Sequence, residues 1–302
     1  MADYDIEALR KSFVDDVTGA KRAGSAASAG VSFTRGISRG GDGLLGGEAD
    51  EAEEPETFES AMRVLLDVLA DDAAVPEQKI IALERLGAAA FQPQRFAPFH
   101  AEFVERLRAL ALSDDKRLRL LALDRLTLED DDEGKRMLRE SLEGTRKPLV
   151  PAATAVRLLA RDEHGDAAPL FRELARSGPV RVREESLRAL AADAESVDLL
   201  AEVSSDKSES ARMREVAAMS LKAASPERFA QVARELVLDE QEDDRLRATA
   251  LSALAFAPEA ADALDGEAFE PELEGIREAT ASRALKTSID RYAQSRAPKT
   301  TE

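Results

Sequence analysis

Few residues in this chain have the type and spacing that chemistry needs. The run RDEHGD places His164 beside Asp162, Glu163 and Asp166, an imidazole with three carboxylates, which is a donor set that borderline transition metals accept. It lies between two stretches of helical periodicity, where charged residues and a glycine make a solvated turn, and it is read as one. The other histidine, His100, follows FQPQRFAPF, whose three Phe residues are expected to anchor a longer, 40-residue interval between recurring segments rather than to build a pocket. EDDDEG at 129–134 lacks the alternating ligand spacing of a calcium loop and reads as helix capping plus charge. The glycines at 36–47 have no strand before them and no helix after them to form a phosphate loop. There is no cysteine, hence no thiolate ligand, thiol nucleophile or disulfide. No catalytic, cofactor-binding or metal residue is expected, and on these grounds the chain is read as not an enzyme.

The elements that would carry any site are helices. Of 302 residues 44% are hydrophobic, only 4% are aromatic and Trp is absent. Ala and Leu with Arg and Glu form packed helices rather than sheets, so the chain is expected to be all-α. A net charge of −18 repels nucleic-acid backbones and anionic membranes. Neither is an expected partner, whereas a protein with a basic or amphipathic segment would be attracted. No signal-like or membrane-spanning apolar run occurs, and the expected location is the cytoplasm.

Four regions follow. Ile6, Leu9, Phe13 and Val17 give residues 1–17 one short amphipathic helix, able to dock on the rest of the chain or on a partner. Residues 18–56 form a linker, first rich in Gly, Ser and Ala and mildly basic through Lys21, Arg22, Arg35 and Arg39, then acidic in EADEAEEPE. From 57 to 264, helical periodicity is broken every ten to seventeen residues by turns such as LSDDK, SGPV and ASPE, which describes successive helical hairpins. Residues 265–302 carry Leu273, Ile276, Leu285, Ile289 and Tyr292 on one long helix that caps the last apolar face, or serves in dimerisation.

Within 57–264 one pattern recurs. In KRLRLLALDRL an apolar reference residue, Leu118, is followed by Arg119, by Ala122 four positions on and by Leu126 eight positions on. Val182, Met213 and Leu246 start equivalent copies with Arg183, Arg214 and Arg247, then Ser186, Ala217 and Ala250, then Leu190, Leu221 and Leu254. Val150 starts a copy with Pro151 in place of Arg, and Gln78 a weaker one with Lys79. The reference positions are spaced by 40, 32, 32, 31 and 33 residues. Offsets of zero, four and eight share one helical face, and a fixed period in this range signals a stacked array. The small residue permits close helix approach and the Leu fills the shared core. The Arg is assigned a structural role, reaching an acid or a carbonyl in the adjoining repeat.

This pattern, in the second helix of a hairpin, resembles the HEAT repeat. Asp114 or Asp115 and Asp243 or Asp244 suit the Asp that HEAT families place at the start of that helix, while the copies at Val182 and Met213 lack one. The resemblance implies a right-handed α-solenoid of about six HEAT-like hairpins, with the C-terminal helix as a cap. It also implies that residues two and six after each reference face the concave side. The expected partner groove is centred on Leu120, Ala152 and Val156 and rimmed by Asp124, Glu184, Arg188 and Glu215, with Met219 beyond them. The function implied is a non-enzymatic protein-binding scaffold or adaptor. The alternatives are a HEAT-like lyase or other enzyme-associated factor, and a self-assembling structural protein. Among HEAT-like enzymes, a di-iron hydroxylase of the deoxyhypusine type would need several His-Glu pairs, and neither histidine here precedes a Glu. A base-handling glycosylase would need a basic, aromatic groove.

Overall fold

A computed structural model of the chain describes residues 57–162, 166–257 and 266–296. The N-terminal helix and linker expected at 1–56, and Glu163 and His164 of the candidate metal turn, lie outside the described residues. Among the described residues there is no strand, and no helix is long and apolar enough to cross a membrane. The chain divides into two compact units at Lys135 and Arg136.

The N-terminal unit contains α1 (Phe58–Ala70), α2 (Pro76–Ala89), α3 (Pro93–Leu110) and α4 (Lys116–Leu128). These pair as α1 with α2 and α3 with α4, and the hairpins stack first helix on first helix and second on second. Local capping starts the helices. Thr57 and Ser60 cap α1 reciprocally, and Asp115 Oδ1 accepts from Leu118 N at 2.8 Å to start α4. Helix α5 (Asp132–Glu143) begins in this unit after a tight turn at Asp130, whose φ of 58° is left-handed. Asp131 then caps α5 by accepting from Gly134 N at 2.8 Å and takes a two-pronged contact from Arg108. Burial pushes the Asp131 carboxyl up, but Arg108 and the Gly134 N–H outweigh that and hold it below the ordinary Asp range. The EDDDEG run is thus a capping turn.

The C-terminal unit adds α6 (Ala152–Leu159), α7 (Ala168–Ser177), α8 (Val180–Ala189), α9 (Val197–Ser205), α10 (Ala211–Ala224), α11 (Pro226–Leu238) and α12 (Asp244–Ala255). It closes with α13 (Gly266–Ala279) and α14 (Arg283–Arg296). Each hairpin from α7–α8 onward packs on itself, α8, α10, α12 and α14 pack in a row, and α9, α11 and α13 make the opposing row. The single long C-terminal helix expected from the sequence is two helices. The chain breaks where Thr280 Oγ1 accepts from Ser282 N at 3.0 Å and Ser282 Oγ caps Leu285 N, because local hydroxyl bonds compete with helix continuation. The result is one further hairpin, invisible to the repeat pattern because its reference, Leu285, has Ile289 where the other copies have a small residue.

The repeat positions do what their spacing predicts. Leu126, Leu190, Leu221 and Leu254 are wholly buried, as are Ala122, Ser186 and Ala217. Each such Leu contributes about 1.5–3 kcal/mol relative to exposure. The repeat arginines tie hairpins together. Arg183 Nε donates to Ala175 O at 2.8 Å, Arg214 Nε to Ser204 O at 3.0 Å and Arg247 Nε to Val237 O at 2.9 Å. Each carbonyl belongs to the last turn of the first helix in the arginine's own hairpin, not to the adjoining repeat. The acids do come from the adjoining repeat: Arg183 grips Glu209, and Arg214 grips Glu242 in a two-pronged contact with one bond of 2.8 Å. Arg119 reaches Ser113 O at 2.5 Å, just past the end of α3.

The Arg214–Glu242 pair is only 6% and 5% exposed, so removing one partner strands a buried charge. Arg214→Met should lower unfolding stability by about 3–5 kcal/mol, and Arg214→Met with Glu242→Met should recover most of that loss. Urea titrations followed by far-ultraviolet circular dichroism measure both. Ser186, at a position that is Ala in four other copies, is fully buried with its Oγ unpaired. Ser186→Ala should raise stability by about 1–2 kcal/mol in the same titration.

Candidate functional site

A helix that begins Arg-apolar-Arg sends its two arginines to nearly opposite sides, since residues two apart are about 200° apart around the axis. Besides Arg106-Leu107-Arg108 inside α3, the sequence holds this triplet at four helix starts, 117–119, 181–183, 212–214 and 245–247. The second arginine of each is the one that binds the neighbouring carbonyl. The first, at Arg117, Arg181, Arg212 and Arg245, is exposed. Its side of the helix is where the C-terminal unit has open space.

Two cavities lie there. One, of 320 Å³, is lined by Arg188, Ala191, Arg212, Glu215, Val216, Met219 and Ser220, between α8 and α10. The next, of 390 Å³, is lined by Met219, Lys222, Arg245, Ala248, Thr249, Ser252, Ala253, Phe256, Ala284 and Ser288, across α10, α12 and α14. They meet at Met219. On α10 and α12 the lining residues stand at the same offsets from Met213 and Leu246: one before, then two, three, six and seven after. The repeat therefore writes one trough wall twice.

The polar groups on α8 and α10 are largely paired among themselves. Arg188 bonds Glu185 at 2.8 Å and Glu184 at 3.2 Å, and Arg212 lies 3.5 Å from Glu215 and 3.9 Å from Glu184. Ser252 Oγ and Ser288 Oγ are 2.9 Å apart across α12 and α14. Two large apolar side chains stay open to solvent, Met219 at 41% and Phe256 at 73%.

Of the residues named from the sequence, Arg188, Glu215 and Met219 line the trough and Glu184 holds its charged rim. Ala152 is exposed on α6 in the same unit. Val156 has no exposed surface, because offset six on the short α6 turns into the core, so it offers nothing to a partner. Leu120 and Asp124 are half-buried on α4 in the N-terminal unit. The apolar part of the open trough is thus carried by Met219 and Phe256, where the sequence reading centred it on Leu120, Ala152 and Val156. Phe256, Lys222 and Arg245 were missed. The signal that could have found them is the first Arg of each triplet.

The N-terminal unit has its own cavity, 580 Å³, lined by Ala90, Phe91, Pro93, Phe96, Ala97, His100, Arg125, Leu128 and Glu129. Phe96 and Phe99 are buried, stacking edge-on with Phe103 and Phe58. Phe91 is 84% exposed, so the three Phe residues of FQPQRFAPF do not act alike: Phe96 and Phe99 anchor α3, while Phe91 stands open at the pocket that Phe96 also lines. His100 Nε2 sits 2.8 Å from Glu129, which also holds Arg125 at 2.6 Å. Among the described residues no three His, Asp or Glu side chains converge to hold a metal ion. Phe96→Ala should cost about 3–5 kcal/mol in urea titrations, and Phe91→Ala less than about 0.5 kcal/mol.

No protein-family model matches the chain, and no curated protein sequence does. Among solved structures, the chain is similar to human deoxyhypusine hydroxylase in complex with glycerol, with 15% identity over 78% of this chain and 96% of that one and a TM-score of 0.34. That protein is an enzyme, and the expectation that this chain is not one is corrected accordingly. At that identity and TM-score the likeness assigns no activity in its place.

Proposed function

We propose that the chain is a HEAT-like α-solenoid, right-handed as that family is, whose second-helix row in the C-terminal unit binds a segment of another protein. The observation that carries this reading is the trough itself: equivalent offsets on successive helices line two adjoining cavities that share Met219, with Met219 and Phe256 left open. Large apolar side chains held open beside a rim of charged groups match the make-up of an interface core with a polar rim. The repeat period supports the HEAT-like part, and the stacking of successive hairpins in each unit supports the solenoid. Such a surface gives specificity through the residues that differ between copies, here Lys222 where the preceding copy has Ala191, and Phe256 where it has Ala223.

The double variant Met219→Glu with Phe256→Glu tests it, because both side chains are exposed enough for the fold to tolerate the change. The expected outcome is an unchanged circular dichroism spectrum and at least about a tenfold loss of a partner that the native chain retains and crosslinks through α10 and α12. Full retention by the variant overturns the reading. A metal or small molecule retained instead of a protein moves it to a HEAT-like lyase or other enzyme-associated factor. Concentration-dependent light scattering that the variant abolishes moves it to self-assembly.

A further inference from the structure

The chain carries a net charge of −18, yet among the described residues the walls of its second cavity hold two cations and no acid. Lys222 closes the last turn of α10 and Arg245 stands in the first turn of α12, with Phe256 and Met219 beside them. Neither cation is ion-paired among the described residues, and Arg181 one repeat back from Arg212 is likewise unpaired. This differs from the equivalent place in the N-terminal unit, where Arg117 faces Glu77 at 3.4 Å. It also differs from the first cavity, whose Arg188 and Arg212 are held by Glu184, Glu185 and Glu215.

An excess of acidic residues elsewhere does not cancel this local sign. At physiological ionic strength the screening length is about 8 Å, so a ligand seated in the trough responds to the groups that line it rather than to charges on distant helices. Unpaired cations flanking exposed apolar side chains are complementary to an acidic, amphipathic segment. Basic segments, which the overall charge favours at long range, would meet Lys222 and Arg245 at short range, where like charges oppose docking.

Resting on the reading of the trough as a segment-binding surface, we infer that its occupant is an acidic amphipathic segment of a partner protein, its carboxylates on Lys222 and Arg245 and its apolar side chains on Met219 and Phe256. The short range over which the charges act makes this a rule of selection among segments rather than a steering effect.

The experiment titrates the full chain into three fluorescein-labelled peptides that share one set of Leu and Phe positions and carry Glu, Gln or Lys between them, read by fluorescence anisotropy. The Glu peptide is expected to bind at least about tenfold more tightly than the Lys peptide. Lys222→Glu with Arg245→Glu should invert that order, while Lys222→Arg should leave it unchanged. Arg245 is exposed and Lys222 half-buried, and circular dichroism confirms folding of each variant. Equal binding of the Glu and Lys peptides, an order that ignores the charge reversal, or binding of none of the three overturns the inference. The segment-binding reading fails separately, when Met219→Glu with Phe256→Glu leaves the affinity of the tightest peptide unchanged.

Discussion

The C-terminal unit depends on a guanidinium that has to be satisfied from two directions. Its repeat arginines leave water, wholly so at Arg214 and Arg247, and a cation in that position requires acceptors with good geometry. One acceptor is the carbonyl that the first helix of the hairpin leaves unpaired at its C-terminal end, where a positive charge also opposes the helix dipole. The other is a glutamate just before the cap of the next second helix: Glu209 ahead of Ser210, Glu242 ahead of Asp243. One side chain therefore closes its own hairpin and sets the position of the following one.

The trough is the other face of the same requirement. With the second arginine of the triplet turned inward, the first must turn outward, and the residues two, three, six and seven places on from the reference follow it to that side. What differs between copies at those positions then decides the surface. Ala191 and Ala253 leave room, Phe256 and Met219 supply apolar area, and among the described residues the acids that neutralise the first cavity are missing from the second.

Much of this is legible in the sequence, and the failures have physical reasons. Periodicity gave the second helices and their buried faces because offsets of zero, four and eight require no knowledge of the neighbours. The acids at Glu209 and Glu242 also stand at a constant offset, four before the reference, but a lone Glu in a polar turn looks like solvation until its arginine is placed against it. Val156 is fully buried although the same offset is exposed at Met219, so register alone does not fix exposure. Phe91 and Phe96 belong to one motif and separate only because Phe91 precedes the start of α3 and Phe96 lies within it. The last hairpin was hidden since Ile289 occupies the place of a small residue, and tertiary contact with Phe269 and Tyr292, rather than the repeat, makes its core.

That hairpin also changes the kind of junction. Four residues before Leu285 stands Ala281, where a glutamate would continue the series, and Arg247 turns back to Asp244 on its own helix at 3.1 Å. The α14 side of the α12–α14 junction accordingly carries buried Leu285 and Ile289 with one hydroxyl pair, while α8–α10 is bridged by the partly exposed Arg183–Glu209 pair. Apolar burial loses strength on cooling and is strengthened by excluded salts, whereas a partly exposed ion pair is weakened by added salt. The two ends of one helical row thus answer to different solvent variables: cold loosens the last hairpin, and ionic strength loosens the first.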